Sequence, residues 1–241
     1  MNWTRDDLLN ISLKTYGSIL PEPEEVLEWF ATLEAGWVHS GKPEDPHVVL
    51  HSKKHSNGFF LCKKVLKYGN LREIIAACII NRLKKAGLGK VGCVIGSPQS
   101  SILLTGDVGR LLGVPTYVLE KDPKDPKGKD MLFKPDDPIP ENCEVLQIEE
   151  LVTTWDSGDA TTRAVINSNP TPVIFHPLVG VFVFRPPVIN YTLPDARRIV
   201  PFIEKQVDAW DIEHGETCPL CEGGSEALLP KGSNWARLKA R

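Results

Sequence analysis

The segment Val145–Ser157 reads Val-Leu-Gln-Ile-Glu-Glu-Leu-Val-Thr-Thr-Trp-Asp-Ser: a short apolar run, two adjacent acids and a hydroxyl-rich loop. Carboxylates at the end of a strand can hold ribose hydroxyls or a hydrated Mg²⁺. Backbone N–H groups of a tight loop that opens a helix can hold a phosphate. Asp159 to Ile166 reads as that helix, so Glu149, Glu150 and the loop behind them predict a sugar-phosphate site. A second strand–loop–helix junction, Gly96-Ser97-Pro98-Gln99-Ser100-Ser101, offers further backbone donors for an anion. Between the two lies a polar run, Glu120–Lys129, whose lysines either close over a pyrophosphate or simply face solvent. Near the end, Cys218-Pro219-Leu220-Cys221 has metal-ligand spacing. A structural zinc needs four ligands; His214 is close by and no second CxxC exists. A redox pair or a plain turn fits the same spacing.

Such a site needs a sheet to carry it. Leu71–Ala86 is the clearest helix, with Ile74, Ile75, Cys78, Ile79 and Leu83 at helical spacing. Val91–Ile95, Val114–Leu119, Val145–Ile148 and Leu178–Phe184 read as strands. Ile102–Leu112, closed by Gly113, and the segment after Gly158 read as helices between them. This alternation predicts an α/β fold with a doubly wound, mainly parallel sheet. Upstream, Thr4 or Asp6 is placed to cap a helix through about Tyr16, and Pro21 and Pro23 precede a helix over Glu24–Ala35. His47–Leu50 and Gly58–Leu61 read as short strands around a polar turn, Ser52–Asn57. Lys121–Asp137 lacks an apolar period and reads as a mobile surface loop, and Ala196–Trp210 as a helix before an irregular tail. The expected division is an N-terminal hood of helices and strands (1–70), a core (71–190), and a C-terminal helix with the CxxC tail (191–241).

At 241 residues and 41% hydrophobic content, the chain fits one large α/β domain, or one with extensions. A net charge of −3 leaves no nucleic-acid footprint. The sequence has no apolar run long enough for a bilayer and no basic-then-apolar start over Met1–Leu20, so no membrane partner is expected. Cys62, Cys78, Cys93 and Cys143 are scattered through apolar segments and read as reduced cytoplasmic thiols.

Taken in order over roughly Glu24–Phe184, these motifs resemble the type I phosphoribosyltransferases, and among them the orotate phosphoribosyltransferase family. Ile148–Ser157 is similar to the family's acid pair and phosphate loop, and Gly96–Ile102 to its pyrophosphate loop. The resemblance implies that Glu149 and Glu150 hold the ribose hydroxyls of phosphoribosyl pyrophosphate. It implies that Thr153, Thr154, Trp155, Asp156 and Ser157 hold the 5-phosphate, and that Ser97, Gln99, Ser100 and Ser101 serve the pyrophosphate. Leu50–Phe60 looks like the base-binding segment, which assigns His51, Lys53, Phe59 and Phe60 to the base; Arg185 stands where the family places an arginine on the orotate carboxylate. Lys121-Asp122-Pro123-Lys124 is similar to the mobile catalytic loop, which reaches the neighbouring subunit's site; this makes Lys121 and Lys124 catalytic and implies a homodimer. The implied reaction is pyrophosphate release as orotate, or a similar base, takes the phosphoribosyl group, a step of pyrimidine biosynthesis with Mg²⁺ as companion of the substrate. The Cys-Pro-Leu-Cys tail resembles that of some prokaryotic members, with Cys218 and Cys221 as expected zinc ligands.

The chain departs from the family pattern at Glu150 (for Asp), Trp155 (for Gly), Ser100 and Ser101 (for a Gly pair), Glu120 (for Arg), Pro126 (for His), His51 (for Lys) and Lys53 (for Gly). Those departures keep two alternatives open: a non-catalytic ligand-binding or regulatory protein on the same fold, and a phosphoribosyltransferase for a different base.

Overall fold

The structure, a computed structural model, describes residues 3–17, 19–50, 52–125, 130–134, 136–186, 188 and 190–239. The chain forms two compact units: Leu9–Pro21 with Leu66–Lys205, and Met1–Leu8 with Glu22–Val65 and Gln206–Arg241.

The larger unit is built on five strands: β1 (Cys93–Gly96), β2 (Thr116–Val118), β3 (Glu144–Val152), β4 (Ile174–Phe184) and β5 (Arg198–Glu204). They lie in the order β5-β4-β3-β1-β2, all parallel. Three helices flank them: α1 (Gly69–Lys85), α2 (Ile102–Leu112) and α3 (Asp156–Ser168). Tyr68 gives α1 no side-chain cap, so burial of Leu71, Ile74, Ile75, Ile79 and Leu83 must hold it; each such side chain contributes about 1.5–3 kcal/mol when fully buried. Gly180 in β4 admits this helix, since a Cβ there would lie 2.8 Å from Ile148 Cδ1 and 2.9 Å from Ile79 Cγ2. On the opposite face Ala160, Ala164 and Val165 of α3 pack with Cys93, Ile95 and Val145. Helices on both faces make this the doubly wound α/β sheet.

Several segments differ from expectation. The helix expected through Tyr16 is two, Arg5–Asn10 and Leu13–Tyr16, because Ser12 caps the second. Strand β3 does not stop at Ile148 but runs through both acids, with Glu149 opposite Val181 and Val152 opposite Phe184. Ala196–Trp210 is not a helix: it holds β5 and a short strand, Ala209–Trp210. Pro201 would have stood inside that helix, where it removes a hydrogen bond and clashes with the preceding turn; on edge strand β5 it is tolerated. Lys121–Asp137 is anchored rather than free: Glu120–Lys121 pairs antiparallel with Met131–Leu132, and Phe133 and Ile139 are buried. Residues 126–129, Pro126 among them, lie outside the described residues.

In the smaller unit the helix Pro23–Thr32 buries Val26, Trp29 and Phe30, and Gly36–Val38 pairs antiparallel with Gly58–Phe60. A four-stranded sheet runs Ala209–Trp210, His55–Ser56, His47–Val49, Ala227–Leu228. The polar turn Ser52–Asn57 thus contains a strand. Trp37, Val48, Phe59, Leu228, Trp235 and Leu238 form its core, so the tail supplies half of the packing. Among the described residues no helix is long and apolar enough to cross a membrane.

Candidate active site and metal centre

Glu149 is buried at the sheet's carboxyl end and its oxygens are occupied. Oε1 accepts from Ser97 Oγ and Gln147 Nε2, both at 2.7 Å, and Oε2 accepts from Ser101 Oγ at 3.1 Å. Burial pushes the carboxyl up, against these same hydrogen bonds, which favour its ionised form. Ser101 precedes α2 yet makes no side-chain cap; its hydroxyl serves Glu149 and accepts from the Glu150 amide at 3.1 Å. The close approach depends on Gly96, where a Cβ would lie 2.3 Å from Thr105 Oγ1 and 2.6 Å from Ile148 O. Glu150 is buried too.

A polar network that the sequence reading missed lies behind Glu149. Gln147 Oε1 accepts from Arg197 Nη1 at 3.0 Å, and Arg197 Nη2 donates to Thr162 Oγ1 at 2.7 Å. Arg197 Nε and Nη2 both reach Asp195 Oδ2, at 2.8 and 2.6 Å. Partial burial works against the Asp195 charge, but Arg197 holds the carboxyl below its ordinary value. The legible signal was Gln147 itself, an amide inside an apolar strand: a buried polar group implies partners.

The loop Thr153–Ser157 leads straight into α3. Trp155, its N-cap, has φ 69° and ψ 0°, so the position at which the resemblance leads one to expect glycine does require a left-handed backbone. Its ring turns into the core with Val152, Val179, Val181, Phe184 and Leu193, under the Arg197 guanidinium at 5.2 Å. Gly158 makes room, because a Cβ there would meet the ring at 2.5 Å. With the indole inside, Thr154, Asp156 and Ser157 stay exposed around a concavity of about 200 Å³ bounded by Glu149 and residues 151–158. Tyr191 Oη steadies the loop by donating to Thr154 O at 3.0 Å.

Of the other expected residues, Gln99 and Ser100 are exposed, as are Lys121 and Lys124 on the hairpin arm. Arg185 follows β4, its amide donating to Val152 O at 2.8 Å. In the smaller unit Phe59 and Phe60 are core residues, edge-on to Trp235 and Phe30 respectively. Lys53 sits at φ 65°, the glycine-like conformation, and pairs with Glu213 at 2.9 Å. His51 lies outside the described residues.

Cys218 and Cys221 meet two unforeseen partners, His47 and His55; one donor atom from each of the four lies within 4.8 Å of the others. Cys221 Sγ is 3.5 Å from His47 Nε2 and 3.2 Å from His55 Nδ1, Cys218 Sγ is 3.6 Å from His47 Nε2, and the two ring nitrogens are 3.1 Å apart. Burial, then His55 and His39, brings His47 down to about 4, so the ring is neutral at pH 7. Burial and the adjacent Cys218 raise the Cys221 thiol. His214 is no member of the group; its Nδ1 pairs with Asp211 Oδ1 at 2.8 Å.

No family model matches the chain. The crystal structure of an orotate phosphoribosyltransferase from Aeropyrum pernix matches 74% of this chain and 93% of its own with a TM-score of 0.55, at 14% identity, which speaks for the fold. The orotate phosphoribosyltransferase of Desulforamulus reducens is 30% identical over 207 residues, 86% of this chain and 95% of that one. The chain belongs to the orotate phosphoribosyltransferase family. Another member, from Thermoanaerobacter sp. strain X514, is 29% identical over 210 residues, 87% of this chain and 97% of its own. In this family member two of the departures from the motif fall where the structure supplies compensation: Trp155 has its ring in the core, and Ser101 has its hydroxyl on Glu149.

Proposed function

We propose that this chain transfers the phosphoribosyl group of phosphoribosyl pyrophosphate to orotate, with release of pyrophosphate, a step of pyrimidine biosynthesis. The observation that carries this reading is the junction of β3 and α3: a buried carboxylate, then an exposed hydroxyl loop, then a helix start whose N-cap residue makes no side-chain cap. The amides of that first turn point toward a bound 5-phosphate and carry the positive end of the helix dipole. Ser97 and Ser101 place one hydroxyl on each Glu149 oxygen, the pattern that a ribose diol would present to a carboxylate. In this reading Glu149 and Glu150 hold the ribose, Thr153–Ser157 the 5-phosphate, and the Ser97–Ser101 loop the pyrophosphate. Lys121 and Lys124 neutralise the leaving group, whose charge grows as the glycosidic bond breaks. His51, Lys53 and Arg185 address the base, Arg185 by paired hydrogen bonds to its carboxylate, with Phe59 and Phe60 supporting them.

Mg²⁺ enters with the pyrophosphate and ribose oxygens as its main ligands, few of them from protein. Cys218 and Cys221 hold a structural zinc. The working form is a cytoplasmic homodimer, in keeping with six free cysteines and a hairpin that offers its lysines outward.

Pyrophosphate release from phosphoribosyl pyrophosphate and Mg²⁺, with orotate and then a panel of other bases, tests the proposal. Orotate-dependent release is the expected result. Release with another base alone would move the substrate and keep the chemistry. A folded protein that binds phosphoribosyl pyrophosphate and releases nothing would leave a ligand-binding protein, a reading that the full occupancy of the Glu149 oxygens favours.

A further inference from the structure

The geometry points to a closed metal site of His47, His55, Cys218 and Cys221 that fastens the tail to the base-binding hairpin and thereby sets affinity for the base. With zinc–sulfur and zinc–nitrogen bonds of their usual lengths, the edges of a tetrahedral site measure about 3.3–3.8 Å. Four of the six donor separations run from 3.1 to 3.6 Å and all six lie within 4.8 Å, so an ion would draw the ligands together by about 1 Å at most. The tautomer of His47 is fixed for the purpose. Ser225 Oγ donates to Asp45 O at 2.6 Å and therefore accepts from His47 Nδ1 at 2.9 Å, which leaves the lone pair on Nε2, the nitrogen facing both sulfurs. Two thiolates and two imidazoles select zinc over the oxygen-seeking Mg²⁺, and four protein ligands leave no open position, so the ion is structural.

What such an ion would hold follows from where its ligands stand. His47 and His55 lie on adjacent antiparallel strands, and the turn between them runs Leu50 to Lys54, closed by Leu50 N to Lys54 O at 2.8 Å. Besides the cluster, the tail meets this turn through Lys53–Glu213 at 2.9 Å and Lys54–Asp211 at 3.2 Å. These pairs are exposed or half-exposed, and such pairs contribute little. Strand pairing joins the tail to the arms of this hairpin, and the metal is then the strong tie next to the turn that carries Lys53 and Lys54. The affinity part of this inference rests on the base-binding reading of that segment; the metal part does not.

The full chain as isolated should contain one zinc per chain. Replacement by Co²⁺ should give a tetrahedral visible spectrum with a thiolate charge-transfer band, and Cys221→Ser, at an exposed position, should lose both. Chelation of the unmodified protein should speed tryptic cleavage after Lys53 or Lys54 on the order of tenfold, reversed by added zinc, because it releases the local structure. The same treatments should raise KM for orotate roughly tenfold with KM for phosphoribosyl pyrophosphate unchanged. Zinc-free protein without a cobalt thiolate band, or a chelation-insensitive hairpin, would overturn the site. A zinc protein with the hairpin response but an unmoved orotate KM would overturn the link to the base. If no base supports turnover, cobalt spectrum and proteolysis still decide the site on their own.

Discussion

Trp155, a departure from the family pattern, and Glu149, which keeps to it, show what single residues contribute in this chain. The indole stands at a left-handed backbone position, which costs a non-glycine residue about 1–2 kcal/mol. Its ring fills the core under Arg197, and emptying such a site typically costs about 3–5 kcal/mol. Trp155→Gly should therefore relieve the strain, lose more than it gains, and destabilise the protein by about 1–4 kcal/mol, read from the denaturant midpoint. Binding of phosphoribosyl pyrophosphate should survive, because the ring faces away from the loop's exposed side. Glu149 makes the protein's stability pH-dependent. Its carboxyl titrates above the ordinary value when folded, so the native state binds more protons than the unfolded state in that window. Stability should accordingly fall as pH rises from about 4.3 toward the raised native value. Glu149→Gln should flatten that part of the slope and weaken phosphoribosyl pyrophosphate binding; an unchanged slope would assign the carboxyl no such shift. Asp195 acts in the opposite sense: held low by Arg197, its contribution is present above about pH 4 and lost as pH falls. The acid pair and the loop were legible as residues in sequence. The cluster of His47, His55, Cys218 and Cys221 was not, because His47 and Cys221 are 174 positions apart and only the fold brings them together.

Among elements, Ile102–Leu112 follows its sequence signal residue for residue, since Gly113 adopts the left-handed conformation (φ 72°) that closes a helix. Strands β1 and β4 lie on the apolar runs expected for them, because strands buried on both faces need no polar alternation, whereas β3 runs on past its apolar run through both acids. The misreading of Ala196–Trp210 had a physical cause: Ile199, Val200, Phe202 and Ile203 fit a strand buried against β4, and spacing alone did not weigh Pro201 against a helix. The lysine hairpin was half legible, its charge plain and its anchors Met131 and Phe133 hidden in a polar run. Those anchors separate function from folding. Lys124 is exposed beyond the paired arms, so Lys124→Ala should lower turnover about tenfold or more while the melting temperature stays put, as removal of a charge that stabilises a leaving group does. An undiminished turnover would take Lys124 out of the mechanism.

For the whole molecule, the smaller unit is discontinuous: Glu22–Val65 shares its four-stranded sheet and its core with the tail, and the larger unit is inserted between them. During synthesis the ribosome therefore delivers the halves of that sheet at different times. The α/β sheet is complete once β5 has emerged, whereas His47–Val49 must wait for Ala227–Leu228 to fill its open edge. Nascent chains arrested after Lys205, with the sheet clear of the exit tunnel, should resist protease over 66–205 and stay sensitive over 22–65; equal protection of both would refute this order. An exposed strand edge awaiting its neighbour is prone to pair with the wrong chain. The Val48 edge is thus the point at which a truncated or slowly translated copy of this protein would begin to aggregate, and the last strand to arrive acts as its built-in chaperone.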